Sequence, residues 1–169
     1  MPANKIKQPE IIEITETLRL VKIDENQAEM ALPWYQDREI LYYSEGRSHQ
    51  EDGYSLEVVR KMYKYLGKIG ELYFIEVLED DNWYPIGDVT LSEENMPIIL
   101  GDKKYWGQGI GKKVITTLID RAKDIGLEKI HIPTIYKYND RSRNLFKSFG
   151  FVKVAENEKE ESYQLELKY

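Results

Sequence analysis

Tyr105-Trp106-Gly107-Gln108-Gly109-Ile110-Gly111-Lys112-Lys113-Val114 is the stretch whose reading decides the fold. The apolar run before it, Pro97-Ile98-Ile99-Leu100-Gly101, reads as a strand. Behind it Ile110, Val114, Ile115, Leu118, Ile119, Ala122 and Ile125 recur at helical spacing and share one face. Glycine lets backbone approach a ligand closely, and the first N–H groups of a helix have no partner within it. The helix dipole favours negative charge at the same end. Strand, glycine turn and helix in this order therefore predict a phosphate-sized anion site, with a turn that only redirects the chain as the plainer alternative. The Gly-x-Gly-x-Gly spacing is neither a P-loop, since no Gly-Lys-Ser/Thr follows, nor the longer dinucleotide fingerprint. Lys103, Lys104, Lys112 and Lys113 surround the turn, either as partners of a polyanion or as a solvated face.

The 169 residues suffice for one domain, residues 1–169, with polar residues 1–8 expected to be loose. A net charge of −6 makes the surface a poor match for nucleic acid and a better one for small cations. The absence of cysteine excludes disulfides, thiolate metal sites and a cysteine nucleophile, and suits a reducing cytoplasm. No apolar run approaches the ~20 residues of a membrane span, and no signal-peptide pattern opens the chain. His49 and His131 are too few and too far apart to argue for a metal site. The 13 tyrosines and three tryptophans are either core or the lining of a pocket for polar or cationic ligands.

Taken in order, Ile11 to Ile14 and Leu18 to Ile23 read as an opening hairpin. Asp24 with Gln27 resembles a capping box for a helix that Pro33 should end or kink. Asp37 to Tyr43 forms a second helical piece, and Ser44 to Gly53 a polar loop. Ser55 caps a helix stopped near Gly67. Leu72 to Leu78 and Trp83 to Leu91 are strands joined at Asp80-Asp81-Asn82, the second with Asp88 inside it. After the central helix, closed by Gly126, come a strand from Lys129 to Ile135, a helix from Asp140 to Phe149 and a hairpin. The order predicts an α/β domain of three layers: one mixed, twisted sheet of about seven strands with helices on both faces. The strand–helix–strand unit around the glycine turn predicts two parallel strands.

These motifs resemble the GNAT superfamily of acyl-CoA-dependent N-acyltransferases. The family's Gln/Arg-x-x-Gly-x-Gly/Ala turn is matched by Trp106 to Gly111, with Trp106 where Gln or Arg is usual. Asn139-Asp140-Arg141-Ser142, leading to Phe149-Gly150-Phe151, is similar to the family's Asn-x-x-Ser/Ala helix. The resemblance covers about residues 16 to 168. Trp34 to Asp37 and Tyr42 to Arg47 look similar to the branch holding aminoglycoside and ribosomal-protein N-terminal acetyltransferases.

The resemblance implies a GNAT-like fold and acetyl-CoA as cosubstrate. Gly107, Gln108, Gly109, Ile110, Gly111 and Lys112 would hold its pyrophosphate. Ile99 and Leu100 would pair with the pantetheine amides, a main-chain N–H near Leu100 would polarise the thioester carbonyl, and Asn139 and Ser142 would bond the arm near the sulfur. It also implies direct attack by a primary amine of a small cationic molecule or peptide, with no acyl-enzyme. An alkyl amine with a pKa near ~10 needs a proton acceptor, for which Glu94 and then Asp88 are the candidates. The position that is acidic in the aminoglycoside-like branch is Pro97 here, and the family's tyrosine acid is Phe146. The thiolate therefore leaves unaided or with help from Tyr136, Tyr138 or water. A CoA-binding module without catalysis is the alternative to an enzyme, and a domain holding some other phosphate is a third reading.

Overall fold

A computed structural model describes residues 6–169. Strands β1 (Ile11–Thr15) and β2 (Leu18–Lys22) form the opening hairpin. Asp24 and Gln27 close a reciprocal capping box over a 3-10 turn, Glu25–Gln27, from which α1 (Ala28–Tyr35) continues. Pro33 lies inside α1 and the helix runs only two residues beyond it. Asp37 caps α2 (Arg38–Glu45) through hydrogen bonds from the Glu39 and Ile40 amides. Ser55 caps α3 (Leu56–Ile69), which passes through the expected stop at Gly67 and ends at Gly70. A Cβ at Gly67 would meet nothing, so no packing forces a break there.

Strands β3 (Glu71–Glu79) and β4 (Asn82–Leu91) are joined by Asp80 and Asp81, both at positive φ, as a two-residue hairpin turn requires. Then follow β5 (Ile98–Leu100), α4 (Ile110–Asp124), β6 (Lys129–Tyr136), α5 (Asp140–Ser148), β7 (Val152–Glu156) and β8 (Glu160–Glu166). Helices α4 and α5 bury Ile110, Val114, Ile115, Leu118, Ala122 and Phe146 in one cluster. Trp34, Tyr35, Ile40, Leu41, Val59 and Tyr63 of α1 to α3 build a second, which also takes in Phe74 of β3 and Ile99 of β5.

The expected α/β layering is present, with one difference in the sheet. The eight strands form two sheets, β1-β2-β3-β4-β5 and β6-β8-β7, and every pairing is antiparallel. The parallel pairing expected between β5 and β6 is not made. The sheets meet where the His131 amide donates to the Glu93 carbonyl at 2.8 Å. A parallel ladder would next call on the amide two residues further along β6, and that residue is Pro133, which has no N–H. Pro97, at the entry to β5, lacks one as well. The ladder therefore stops after one bond, leaving the edge of β5 without a strand beside it.

Candidate functional site

Two features converge at this division between the sheets. The first is the start of α4. Gly107 and Gly109 have φ of 77° and 78°, a region that side-chain-bearing residues avoid, and a Cβ at either would point into open space. The first helical bond from beyond the turn is that of the Lys113 amide to the Gly109 carbonyl. The amides of Gly109, Ile110, Gly111 and Lys112 thus precede the helix's own hydrogen bonding. No acidic residue occupies this first turn, while Lys112 and Lys113 are exposed there without a salt bridge among the described residues. Cations at a helix N-terminus oppose its dipole, so the lysines gain most when an anion lies between them and the amides. Lys103 and Lys104 serve differently. Lys103 bridges Asp37 and Glu39 at 2.8 Å each, and Lys104 binds Glu79 at 2.9 Å. They brace the segment leading into the turn, and Gln108 adds a bond to the Lys104 carbonyl at 3.0 Å.

The second feature is the β5 edge. Asp88 pairs with Ile99, between the bonded pairs Thr90–Pro97 and Ile86–Gly101. By antiparallel alternation the backbone groups of Ile99 point into β4, and those of Ile98 and Leu100 point outward. Of the two residues assigned to this edge from sequence, only Leu100 faces it, and Ile98 joins it. The Trp106 indole N–H donates to the Leu100 carbonyl at 2.8 Å, tying the glycine turn to the strand and leaving the Leu100 amide on the open side. The Arg141 guanidinium stands 5.1 Å over the Trp106 ring, bringing α5 to the same turn.

Asn139 caps α5, its Oδ1 accepting from the Ser142 amide at 3.2 Å while its Nδ2 donates to the Tyr43 carbonyl at 3.4 Å. Its side chain therefore joins α5 to α2. Ser142 is half-buried, and its hydroxyl makes no hydrogen bond among the described residues.

The carboxylates separate clearly. Asp88 is buried on β4, and Oδ2 accepts from the Tyr35 and Tyr63 hydroxyls at 2.6 Å each. Burial pushes its pKa up to about 6 against the pull of those two bonds. Glu94 is exposed in the turn between β4 and β5, beside the Glu93 carbonyl where the sheets are joined. It is thus at the closed end of the division and apart from the Asp88 group. Sequence reading passed over Glu45, the last residue of α2. Burial raises its pKa, with Asp88 adding to the rise and Tyr54 and Arg47 opposing it. The one signal in the sequence was Gly46, which closes α2 at φ 68° and makes Glu45 its last residue.

Phe146 is buried, packed edge-on against Phe151 at 5.2 Å, as its type demands. Tyr136 is half-buried with no hydroxyl partner among the described residues, whereas the Tyr138 hydroxyl donates to the Tyr42 carbonyl. Among the described residues no group of three His, Cys, Asp or Glu is arranged to hold a metal, and no helix is long and apolar enough to cross a membrane.

Comparison with known proteins places the fold and the family. The uncharacterized protein MJ1062 of Methanocaldococcus jannaschii is 31% identical over 101 residues, which cover 56% of this chain and 21% of that protein. The chain thus matches about a fifth of that relative's length. A crystallised domain from M. jannaschii DSM 2661 superposes with a TM-score of 0.75 at 24% identity, covering 89% of this chain and 98% of that one. RimL, a ribosomal L7/L12 α-N-protein acetyltransferase solved with coenzyme A, gives 0.71 at 16% identity over 94% and 98%. The model of the acetyltransferase (GNAT) family matches residues 34–151, a span holding the glycine turn and the Asn139 helix, and the chain belongs to that family.

Proposed function

We propose that the protein moves an acetyl group from acetyl-CoA to a primary amine, by direct attack with both substrates bound. The observation carrying this reading is that an open glycine turn on a helix N-terminus adjoins a strand edge facing a gap in the sheet. A pyrophosphate fits where the Cβ atoms of Gly107 and Gly109 are missing, and an extended amide-bearing arm fits beside Ile98 and Leu100 as a strand would. RimL, solved with coenzyme A, has the same fold.

In this reading the Gly109, Ile110, Gly111 and Lys112 amides bind the diphosphate, with Lys112 and Lys113 balancing its charge. The Leu100 N–H donates to the thioester carbonyl, where negative charge grows as the amine attacks. A C–N bond forms, the C–S bond breaks, and the amine's proton passes to a carboxylate. Of the two candidates named from sequence, Asp88 rather than Glu94 is beside this edge, one rung away on β4 and buried beneath the Tyr35 and Tyr63 hydroxyls. The departing thiolate leaves as the anion, or takes a proton from water or from Tyr136, whose hydroxyl has no hydrogen-bond partner among the described residues. The negative surface favours a cationic acceptor, a small amine or a peptide N-terminus.

The test is release of free CoA thiol with acetyl-CoA and a panel of polyamines, aminoglycosides and N-terminal peptides. Turnover above background with at least one amine is expected. Saturable CoA binding with flat rates throughout would favour a binding module, and tight ATP binding with none of CoA would remove the reading altogether.

A further inference from the structure

Taking the acetyl-transfer reading as its basis, we infer that Glu45 is the carboxylate that meets the acceptor's ammonium group and takes its proton, with Asp88 as the positioning residue behind it. Four observations lead there. First, α2 spans the mouth of the division between the sheets. The Tyr138 hydroxyl and the Asn139 amide both reach the carbonyls of its last turn, at Tyr42 and Tyr43. Gly46 lies so close to Tyr136 of β6 that a Cβ would stand 2.5 Å from the ring carbon Cζ. Second, contacts tie Glu45 to both sheets: the Tyr54 hydroxyl donates to it, Tyr54 stacks on Tyr35 at 6.3 Å and Tyr35 donates to Asp88 of β4, while the adjoining Gly46 lies against Tyr136 of β6. A side chain that senses both sheets borders the gap where the thioester would lie.

Third, Glu45 is poorly committed for a half-buried acid. Its single hydrogen bond among the described residues, from the Tyr54 hydroxyl, is 3.4 Å long. Asp88, in contrast, is held by two bonds of 2.6 Å. Fourth, Glu45 can be reached from outside. A surface pocket of about 640 Å³ is lined by Glu45, Arg47, Gly53, Tyr54, Val58 and Met62. Arg47 also lines it, its guanidinium 5.0 Å over the Tyr54 ring, 3.5 Å from Glu51 and bonded to the Asp52 carbonyl, and Glu45 is the one carboxylate among the lining residues.

The groups facing Glu45 are Tyr35 from α1, Asp88 from β4, Arg47 and Tyr54 from the α2–α3 loop, and Tyr136 from β6, which also faces Glu160. Desolvation and the Asp88 charge both make Glu45 a stronger proton acceptor than a surface carboxylate. With the proton on Glu45, the neutral amine attacks and the balance is that of the proposed reaction.

The experiment compares wild type with Glu45→Gln, Glu45→Asp and Glu94→Gln on the best amine of the panel, across pH 6–10, with CoA affinity measured by calorimetry. Glu45→Gln should lower kcat/KM for the amine by about a hundredfold at pH 7, through kcat more than KM, with CoA affinity within twofold. The loss should shrink towards pH 10, where the amine arrives already neutral. Glu45→Asp should recover part of the rate, and Glu94→Gln should follow wild type. A Glu45→Gln variant with a wild-type rate and pH profile overturns the assignment and leaves acetyl transfer standing, as does a loss that is uniform across pH. Wild-type protein that acetylates no amine overturns both.

Discussion

Asp88 and Ile99 face each other across the β4–β5 ladder, so a buried carboxylate stands one rung from a strand edge that has no neighbour. The edge and the acid are thereby fixed by the same backbone pairing. In the proposed reaction, displacing either strand would disturb the cofactor's edge and the Asp88 that stands behind Glu45 together.

The state of Asp88 makes a stability prediction. Its folded pKa of about 6 is above the ordinary 3.8, so the native state holds the proton more tightly than the unfolded chain. The associated stabilisation is complete below about pH 3.8 and is lost as pH rises through 6. Asp88→Asn, which keeps an acceptor oxygen for Tyr35 and Tyr63, should match wild type near pH 4. It should exceed wild type by on the order of 3 kcal/mol at pH 7–8, read as a higher thermal midpoint across that range.

Gly109→Asp should weaken CoA binding at least tenfold, measured by calorimetry. The position is left-handed at φ 78°, and its missing Cβ faces open space where the diphosphate would lie. A side chain there strains the turn and adds a like charge. Unchanged affinity would remove the diphosphate from this helix end.

Gly46→Ala probes the closure between α2 and β6. The substitution forces a side chain into a left-handed position and against the Tyr136 ring. A loss of about 1–2 kcal/mol of stability and a fall in kcat are expected, with CoA affinity preserved. Denaturant melts and steady-state kinetics on the same preparation read both.

Far from the site, Arg121 of α4 grips Glu71 at the start of β3 through bonds of 3.0 and 2.8 Å, and Tyr73 adds a third to the same carboxylate. Both charges are largely buried. Arg121→Met would leave Glu71 without its counter-charge and should cost on the order of 2 kcal/mol while leaving the amides of the glycine turn in place. Urea unfolding measures it.

Most elements were legible in the sequence because their signals are local. Asp24 with Gln27, Ser55, Gly126 and the Asp80-Asp81 turn each act within a few residues. The glycine turn could be found for the same reason, as strand, breaker and helix follow one another in the chain. What escaped depends on groups brought from afar. Pro97 and Pro133 both stand in the sequence, but their joint effect on one ladder shows only when β5 and β6 are placed in the fold. Ile99 and Leu100 could not be told apart without the register that turns one inward and the other out. Glu45 read as part of a polar loop because the chain from Ser44 to Gly53 is polar throughout, and its place at the end of α2 beside Tyr54 shows only in the fold.

The two prolines have one more consequence. By halting the ladder after His131 they leave a sheet that its own chain never finishes, with a berth one strand wide. An arm carrying amides would complete it as a guest strand, so in the proposed reading the cosubstrate adds to the sheet as it binds. Hydrogen exchange should accordingly slow at the Ile98 and Leu100 amides when CoA is added, and the whole molecule should melt higher in proportion to the logarithm of its concentration.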